Sequence, residues 1–152
     1  MSCWDNTYLY VGVKVLDSIL NNDSTNVWDD DSVDIYIDAN HSHSTTYDAS
    51  DLHLVKGYND ASLFATGGNT AGVLHNSAAV PGGYTIEMAI PWSKLGVTPT
   101  NNMTIGVDVA VNDDDRGGDR DSQSMWNNNT PTSYQDTSNF GHVVLNAANQ
   151  LQ

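Results

Sequence analysis

The chain has 152 residues, enough for one domain with a sizeable core, and carries 5 basic against 19 acidic side chains, a formal net charge of −14. Five cations cannot neutralise a useful run of phosphates, so nucleic acid and anionic membrane surfaces are excluded as partners, while divalent cations and neutral ligands such as sugars are compatible. Glu87 is the only glutamate; the other acids are aspartates, a composition suited to turns and oxygen-rich metal loops and poor for helices.

The first strand pattern is Tyr8–Leu16, YLYVGVKVL, where Leu9, Val11, Val13 and Val15 alternate with Tyr10, Gly12, Lys14 and Leu16. A polar, turn-like stretch follows, with Trp28 inside it. Ser32–Asp38 has the clearest alternation: Val33, Ile35 and Ile37 point one way, Asp34, Tyr36 and Asp38 the other. A Ser/Thr/His loop leads to shorter predicted strands at 52–56, 61–66 and 72–75, separated by Gly/Asn turns. Residues 84–90, YTIEMAI, put Ile86, Met88 and Ile90 on one face. PWSKLG then predicts one helical turn, with Pro91 opening it and Gly96 ending it. Residues 103–111 form another strand, with Ile105, Val107, Val109 and Val111 inward, followed by the acidic loop NDDDRGGDRDSQSMW and a last strand at 140–145. No window sustains a helical period. About eight short strands argue an all-β fold, an antiparallel β-sandwich of jelly-roll or immunoglobulin-like type, as a single domain over 1–152.

Cys3 is the lone cysteine, so no internal disulfide is available. No apolar run approaches a membrane span. The start, MSCWDNTYLYV, lacks the basic head and apolar stretch of a signal peptide, so either a leader has been removed or the chain is a module of a longer one. Few lysines and many Asn and Asp point to a secreted, extracellular home.

Five stretches occur in a telling order: WDNTYLYVGVKVLD, VWDDDSVDIYIDAN, GGYTIEMAIPWSKLG, IGVDVAVNDDDRGGDR, then a Trp and SNFGHVVL. Together they resemble carbohydrate-binding module family 9, whose members are appended to xylanases and other secreted polysaccharide-degrading enzymes. The resemblance covers nearly the whole chain. It implies a β-sandwich, sugar binding without catalysis, structural calcium, an attached glycoside hydrolase, and an oligo- or polysaccharide partner of the cellulose or xylan type, bound at chain ends. Family members carry a further N-terminal segment with an early strand. This chain begins almost at WDNTYLYV, so the sandwich is expected to lack that strand and to present an open edge.

Trp28 and Trp126 lie in polar loops without apolar neighbours in their period. The C–H faces of a pyranose stack on indole, burying large area at little side-chain entropy cost. In the family two tryptophans clamp a terminal sugar, and these two match by position; Trp4 and Trp92 read as core. Asp34 stands where the family places a carboxylate that accepts sugar hydroxyls, usually a glutamate one methylene longer. Arg120 offers a fork for adjacent hydroxyls, whereas Arg116 reads as a neutraliser of nearby aspartates. Lys56 and Gln123 complete the expected carbohydrate set, and the asparagines at 127–129 flank it.

The run of aspartates at 113–115 is not an EF-hand, because Ser124 stands where the bidentate glutamate belongs. Calcium is expected instead among strand-end acids: Asp17, Asp30, Asp31 and Asp113. Glu87 could serve as an acid or base, but no catalytic motif accompanies it, so no enzyme activity is expected. His41 and His43 would share one face of a strand, as a zinc site wants; in a Ser/Thr-rich loop the pairing is expected to be incidental. A second reading is a calcium-stabilised structural or assembly module, without a sugar site, that uses the open edge.

Overall fold

In the computed structural model, which describes residues 1–151, the alternation of Ser32–Asp38 is realised as the central strand of a sheet. The strands are β1 (Ser2–Trp4), β2 (Tyr8–Leu16), β3 (Ser32–Asp38), β4 (Asp51–Gly57), β5 (Phe64–Ala65), β6 (Leu74–Val80), β7 (Gly83–Pro91), β8 (Thr104–Asp113), β9 (Ser122–Met125) and β10 (Gly141–Val144), with one helical turn, α1 (Trp92–Leu95). One sheet runs β1-β2-β7-β6. The other runs β10-β8-β3-β4-β5, with β9 also paired to β8. Every strand pairing is antiparallel. The result is an antiparallel β-sandwich.

The inward faces of the two sheets meet over Val33, Ile35, Ile37, Leu54, Ile86 and Ile90, all at most 1% exposed. Trp4 and Trp92 are buried with them, and their indole N–H groups donate to the carbonyls of Asn146 and Asp5. Pro91 and Gly96 bracket α1 as expected; Gly96 takes a left-handed φ of 67°.

The structure departs from the sequence expectation where strands lack apolar alternation. The predicted strand at 61–66 shrinks to Phe64–Ala65, and the one at 72–75 moves to Leu74–Val80, a largely exposed edge strand held by its register with β7. SQSM forms β9 and SCW forms β1 by backbone pairing without apolar alternation, with Trp4 alone anchoring β1 in the core. β1 covers Leu9, Tyr10 and Val11 of β2, so the open edge is confined to residues 13–16. Beside it the sandwich gapes. A groove of about 470 Å³, lined among others by Val11, Val13, Val107, Val109, Val143 and Trp126, separates the sheets. Val107 and Val109 are therefore only half-buried, whereas Asp108, Ala110 and Asn112 on the opposite face of β8 are fully buried.

Gly83 shows how tight the β6–β7 turn is. A Cβ there would lie 2.0 Å from the Val15 carbonyl oxygen. Gly83→Ala is expected to cost about 2 kcal/mol, read as a fall in denaturant midpoint, because β2 and β7 must shift to admit the methyl group.

The aspartate-rich composition also has a pH signature. Asp51 opens β4 opposite Asp38. Burial, with Asp48 and Asp38 nearby, pushes its pKa up from the usual carboxylate value to about 6. A folded pKa above the unfolded one means that its contribution is fully present below about pH 4 and is lost as pH rises through about 6. Discounted for its partial exposure, the effect is about 1 kcal/mol. Asp51→Asn is thus expected to be more stable than the parent at pH 7, and to lose that advantage by about pH 4, in paired urea titrations.

Candidate carbohydrate-binding site

The outer face of the larger sheet carries the polar half of the β3 alternation. Register sets Tyr36 between His53 of β4 and Asp108 of β8, and Ser32 beside Asn112. Both faces of β3 are buried, since Tyr36 packs outward with Ala110 and Phe140 in a second cluster. A buried carboxylate needs partners, and Asp34, 3% exposed, has three. Its Oδ1 accepts from the Tyr36 hydroxyl at 3.1 Å and faces His53 Nε2 at 2.7 Å; its Oδ2 accepts from Asn112 Nδ2 at 2.6 Å. His53 is stacked on Tyr36 with ring centroids 4.4 Å apart, and its Nδ1 meets the Thr66 hydroxyl at 2.9 Å. Asn112 passes the network upward: its Oδ1 accepts from Arg120 Nη1 and Gln123 Nε2, each at 2.8 Å. Arg120 Nη1 also donates to the Trp28 carbonyl at 3.3 Å.

Above this network lies a cavity of about 320 Å³, within the usual range for small-ligand sites. Asp34, Tyr36 and His53 lie in the sheet beneath it, and Trp28, Phe64, Thr66, Arg120, Gln123, Pro131 and Tyr134 also line it. Trp28 is braced edge-on by Phe64, with centroids 4.9 Å apart. Tyr134 is 49% exposed. Its loop is anchored by Asp108, wholly buried, which accepts from the main-chain N–H groups of Asn127 and Asn128, each at 3.0 Å, and from the Ser133 hydroxyl at 3.3 Å.

Four expected sugar residues, Trp28, Asp34, Arg120 and Gln123, therefore meet at one cavity. Two do not. Trp126, 58% exposed, borders the inter-sheet groove and covers Gly141, where a Cβ would come within 2.7 Å of its ring. Lys56 pairs with Val33 and so points to the core face; its ammonium is buried and donates to the carbonyls of Asp60 and Ser62. Arg116 sits on Asp121, as a neutraliser would. Glu87 is exposed on β7, in the other sheet.

The acidic strand ends converge in two groups. Asp17 and Asp113 come together with Asp115, and Asp30 with Asp23 and Asp114; within each group one carboxylate oxygen per residue lies within 4.8 Å of the others. In the second group each Oδ1 is occupied by main-chain N–H groups: Asp30 by Asp23 and Ser24, Asp114 by Arg116 and Gly117, Asp23 by Gly118. Asp114 Oδ2 is buried with no hydrogen-bond partner among the described residues. Asp31, expected among the metal ligands, belongs to neither group and spends its two oxygens on the N–H groups of Asn21 and Asp114. Burial pushes its pKa up to about 6, with Asp17 and Asp113 adding to the rise.

The family profile described as "Carbohydrate family 9 binding domain-like" matches residues 2–148. The chain belongs to carbohydrate-binding module family 9, a family of non-catalytic binding modules. This family 9 module is 37% identical over 142 residues to the endo-1,4-beta-xylanase A of Thermoanaerobacterium saccharolyticum, and 37% identical over 142 residues to that of Thermotoga maritima. Each match takes in 93% of this chain but only 12% and 13% of those enzymes, so the chain spans about an eighth of the curated relatives. Among solved structures it is similar to a family 9 module from Caldicellulosiruptor kristjanssonii in complex with cellotriose, with a TM-score of 0.88 and 29% identity, over 95% of this chain and 72% of that one. The glucose complex of the module from that organism gives a TM-score of 0.87, also at 29% identity, over 95% and 73% of the two chains.

Sequence reasoning about this family 9 module missed Tyr134, His53 and Tyr36 as cavity residues. Tyr36 shares the face of Asp34, which the alternation alone could have shown. His53 needed the β3–β4 register. Tyr134 sits in a loop without periodicity, and nothing in its neighbourhood marks it.

Proposed function

We propose that this family 9 module binds the end of a β-linked glucan or xylan chain in the cavity between Trp28 and Tyr134, without catalysis. The cavity itself carries this reading: aromatic walls stand over a floor of fixed polar groups. A pyranose offers apolar C–H faces and an equatorial rim of hydroxyls, so the Trp28 indole and the Tyr134 ring stack while Arg120 and Gln123 meet the rim. Asp34 has one lone pair left on Oδ2 once His53, Tyr36 and Asn112 are served. It accepts a single hydroxyl and otherwise holds His53 and Asn112 in place. Preformed hydrogen bonds among these groups mean that little ordering is required on binding. The sugars bound by the Caldicellulosiruptor relative support this choice of ligand. The xylanase relatives support a secreted parent in which this module holds a glycoside hydrolase on its substrate.

Calcium fits the two acidic groups. All donors are oxygens, and the unpartnered Asp114 Oδ2 is an acceptor that a hard cation would satisfy. Asp23, Asp30 and Asp114 would hold one ion; Asp17, Asp113 and Asp115 would hold another, with Asp31 behind both. The ion neutralises crowded carboxylates and fixes the loops that carry Arg120 and Trp28.

Isothermal titration with cellobiose, xylobiose, glucose and reduced cellobiose tests the sugar proposal. Binding of cellobiose but not of its reduced form places recognition at the reducing end, and binding of none of the four sugars sinks the proposal. The open edge at residues 13–16 and the apolar groove beside it favour a second reading, an assembly module. An oligomer on size-exclusion chromatography that ignores all these sugars would support that reading instead.

A further inference from the structure

Three histidines far apart in sequence meet at one end of the larger sheet. His41 and His43 follow β3, and His142 lies on β10. Register brings them together: Asp38 at the end of β3 pairs with Gly106 of β8, which pairs with His142. Gly106 has no side chain to separate the two flanking residues, and even a Cβ there would sit 3.0 Å from that of Asp38. The chain after β3 therefore turns across this gap toward β10. Asp38, wholly buried, holds that turn by accepting the N–H groups of Ser42 at 3.0 Å and His43 at 2.9 Å. His41 and His43 both adopt left-handed φ, 56° and 47°, which turns both rings toward His142.

The nitrogens are disposed as ligands. His41 Nε2 and His142 Nδ1 are 2.6 Å apart. His43 Nδ1 faces the Ser138 carbonyl at 3.2 Å, so its proton resides there and Nε2 is left as a lone pair. That Nε2 is buried and has no hydrogen-bond partner among the described residues. One nitrogen from each ring lies within 4.8 Å of the other two.

We propose that His41, His43 and His142 form a binding site for a divalent transition-metal ion, zinc-type in its ligand set, distinct from the acidic calcium groups. Three neutral imidazoles with an open fourth position match the preference of zinc, copper and nickel and not that of calcium. Each ring binds in its neutral form, carrying its proton on the nitrogen away from the ion. Zn–N bonds near 2.0–2.1 Å place ligand nitrogens roughly 3.3 Å apart, so the His41–His142 pair opens by less than about 1 Å. The ion would staple the β3–β4 loop to the edge strand β10. This site does not depend on the sugar or calcium readings.

The test titrates metal-stripped protein with Zn²⁺ in the presence of millimolar Ca²⁺, which occupies oxygen-only sites, and repeats it with Co²⁺ while recording visible absorption. The expected result is one Zn²⁺ per chain and the d–d bands of a nitrogen-ligated cobalt ion. His41→Gln, His43→Gln and His142→Gln should each weaken binding at least tenfold, while His75→Gln leaves it unchanged; circular dichroism confirms that each variant is folded. Zinc binding that survives all three replacements, or no saturable zinc binding by the parent, overturns the proposal. A cobalt spectrum unchanged by the histidine replacements would overturn it too, and would stand even if one variant failed to fold.

Discussion

Trp28→Ala is expected to lower cellobiose affinity by roughly thirty- to a thousandfold, a loss of about 2–4 kcal/mol. The side chain forms one wall of the cavity and is rigidly backed by Phe64, so its face is ready for a sugar before the sugar arrives. Its removal takes away the stacking area and lets water onto the polar floor. The carbonyl that accepts from Arg120 belongs to the main chain and survives the substitution. The fold should lose far less, since Trp28 is only half-buried and belongs to neither core cluster. Tyr134→Ala should follow the same direction with a smaller loss, because half its surface is already exposed. Trp126→Ala is the informative control. The indole borders the inter-sheet groove and not the cavity, so cellobiose affinity should stay within about twofold of the parent. A Trp126→Ala variant that loses binding while Trp28→Ala keeps it would move the site to the groove.

Removing calcium should produce the largest change in stability. A ligand that binds only the folded state stabilises it by mass action, about 4 kcal/mol at a thousand times its dissociation constant. For a chain of this size that corresponds to a fall of roughly 10 °C in melting temperature when chelator is added. Asp114→Asn should abolish the share of the response that comes from the Asp23, Asp30 and Asp114 group, by removing charge from a buried residue whose Oδ2 has no hydrogen-bond partner among the described residues. Asp121→Asn should not, because Asp121 is satisfied by Arg116 outside both acidic groups. The calcium effect should also shrink between pH 7 and pH 5. Asp31, pushed up to about 6, takes a proton in that window, which removes a negative charge beside Asp17 and Asp113 and so weakens the pull on the ion. A melt that chelator leaves unchanged at pH 7 would remove calcium from the account.

The sandwich was legible because β2, β3, β7 and β8 carry strict two-residue alternation with branched apolar side chains inward, the local pattern that burial of one sheet face demands. β1, β5, β6 and β9 were illegible or misplaced because they are short or exposed and carry no apolar alternation, so main-chain pairing decides where they run. The candidate site divides in the same way. Asp34 could be oriented from its own strand, and a charged side chain at Lys56 on a face of leucines obscured the same signal there. Lys56 shares its face with Leu52 and Leu54 in β4, so it lies on the core side, and the β3–β4 register sets it opposite Val33. Trp126 lies in a polar loop as Trp28 does, which gave no sign that the two line different recesses. Its true neighbour is Gly141, more than a dozen residues on, and only the β8–β9 and β8–β10 pairings bring the two together. Asp108 was hidden for the opposite reason. It reads as one more aspartate in an Asp-rich chain, yet it is wholly buried and organises the loop that carries Tyr134.

The most direct measurement is a crystal structure of this module grown with cellobiose and calcium. The account predicts a pyranose ring stacked on Trp28 beneath Tyr134, with its hydroxyls on Arg120 and Gln123 and its chain end inside the cavity. A sugar seated beside Trp126 in the inter-sheet groove, or an empty cavity at saturating cellobiose, would contradict it.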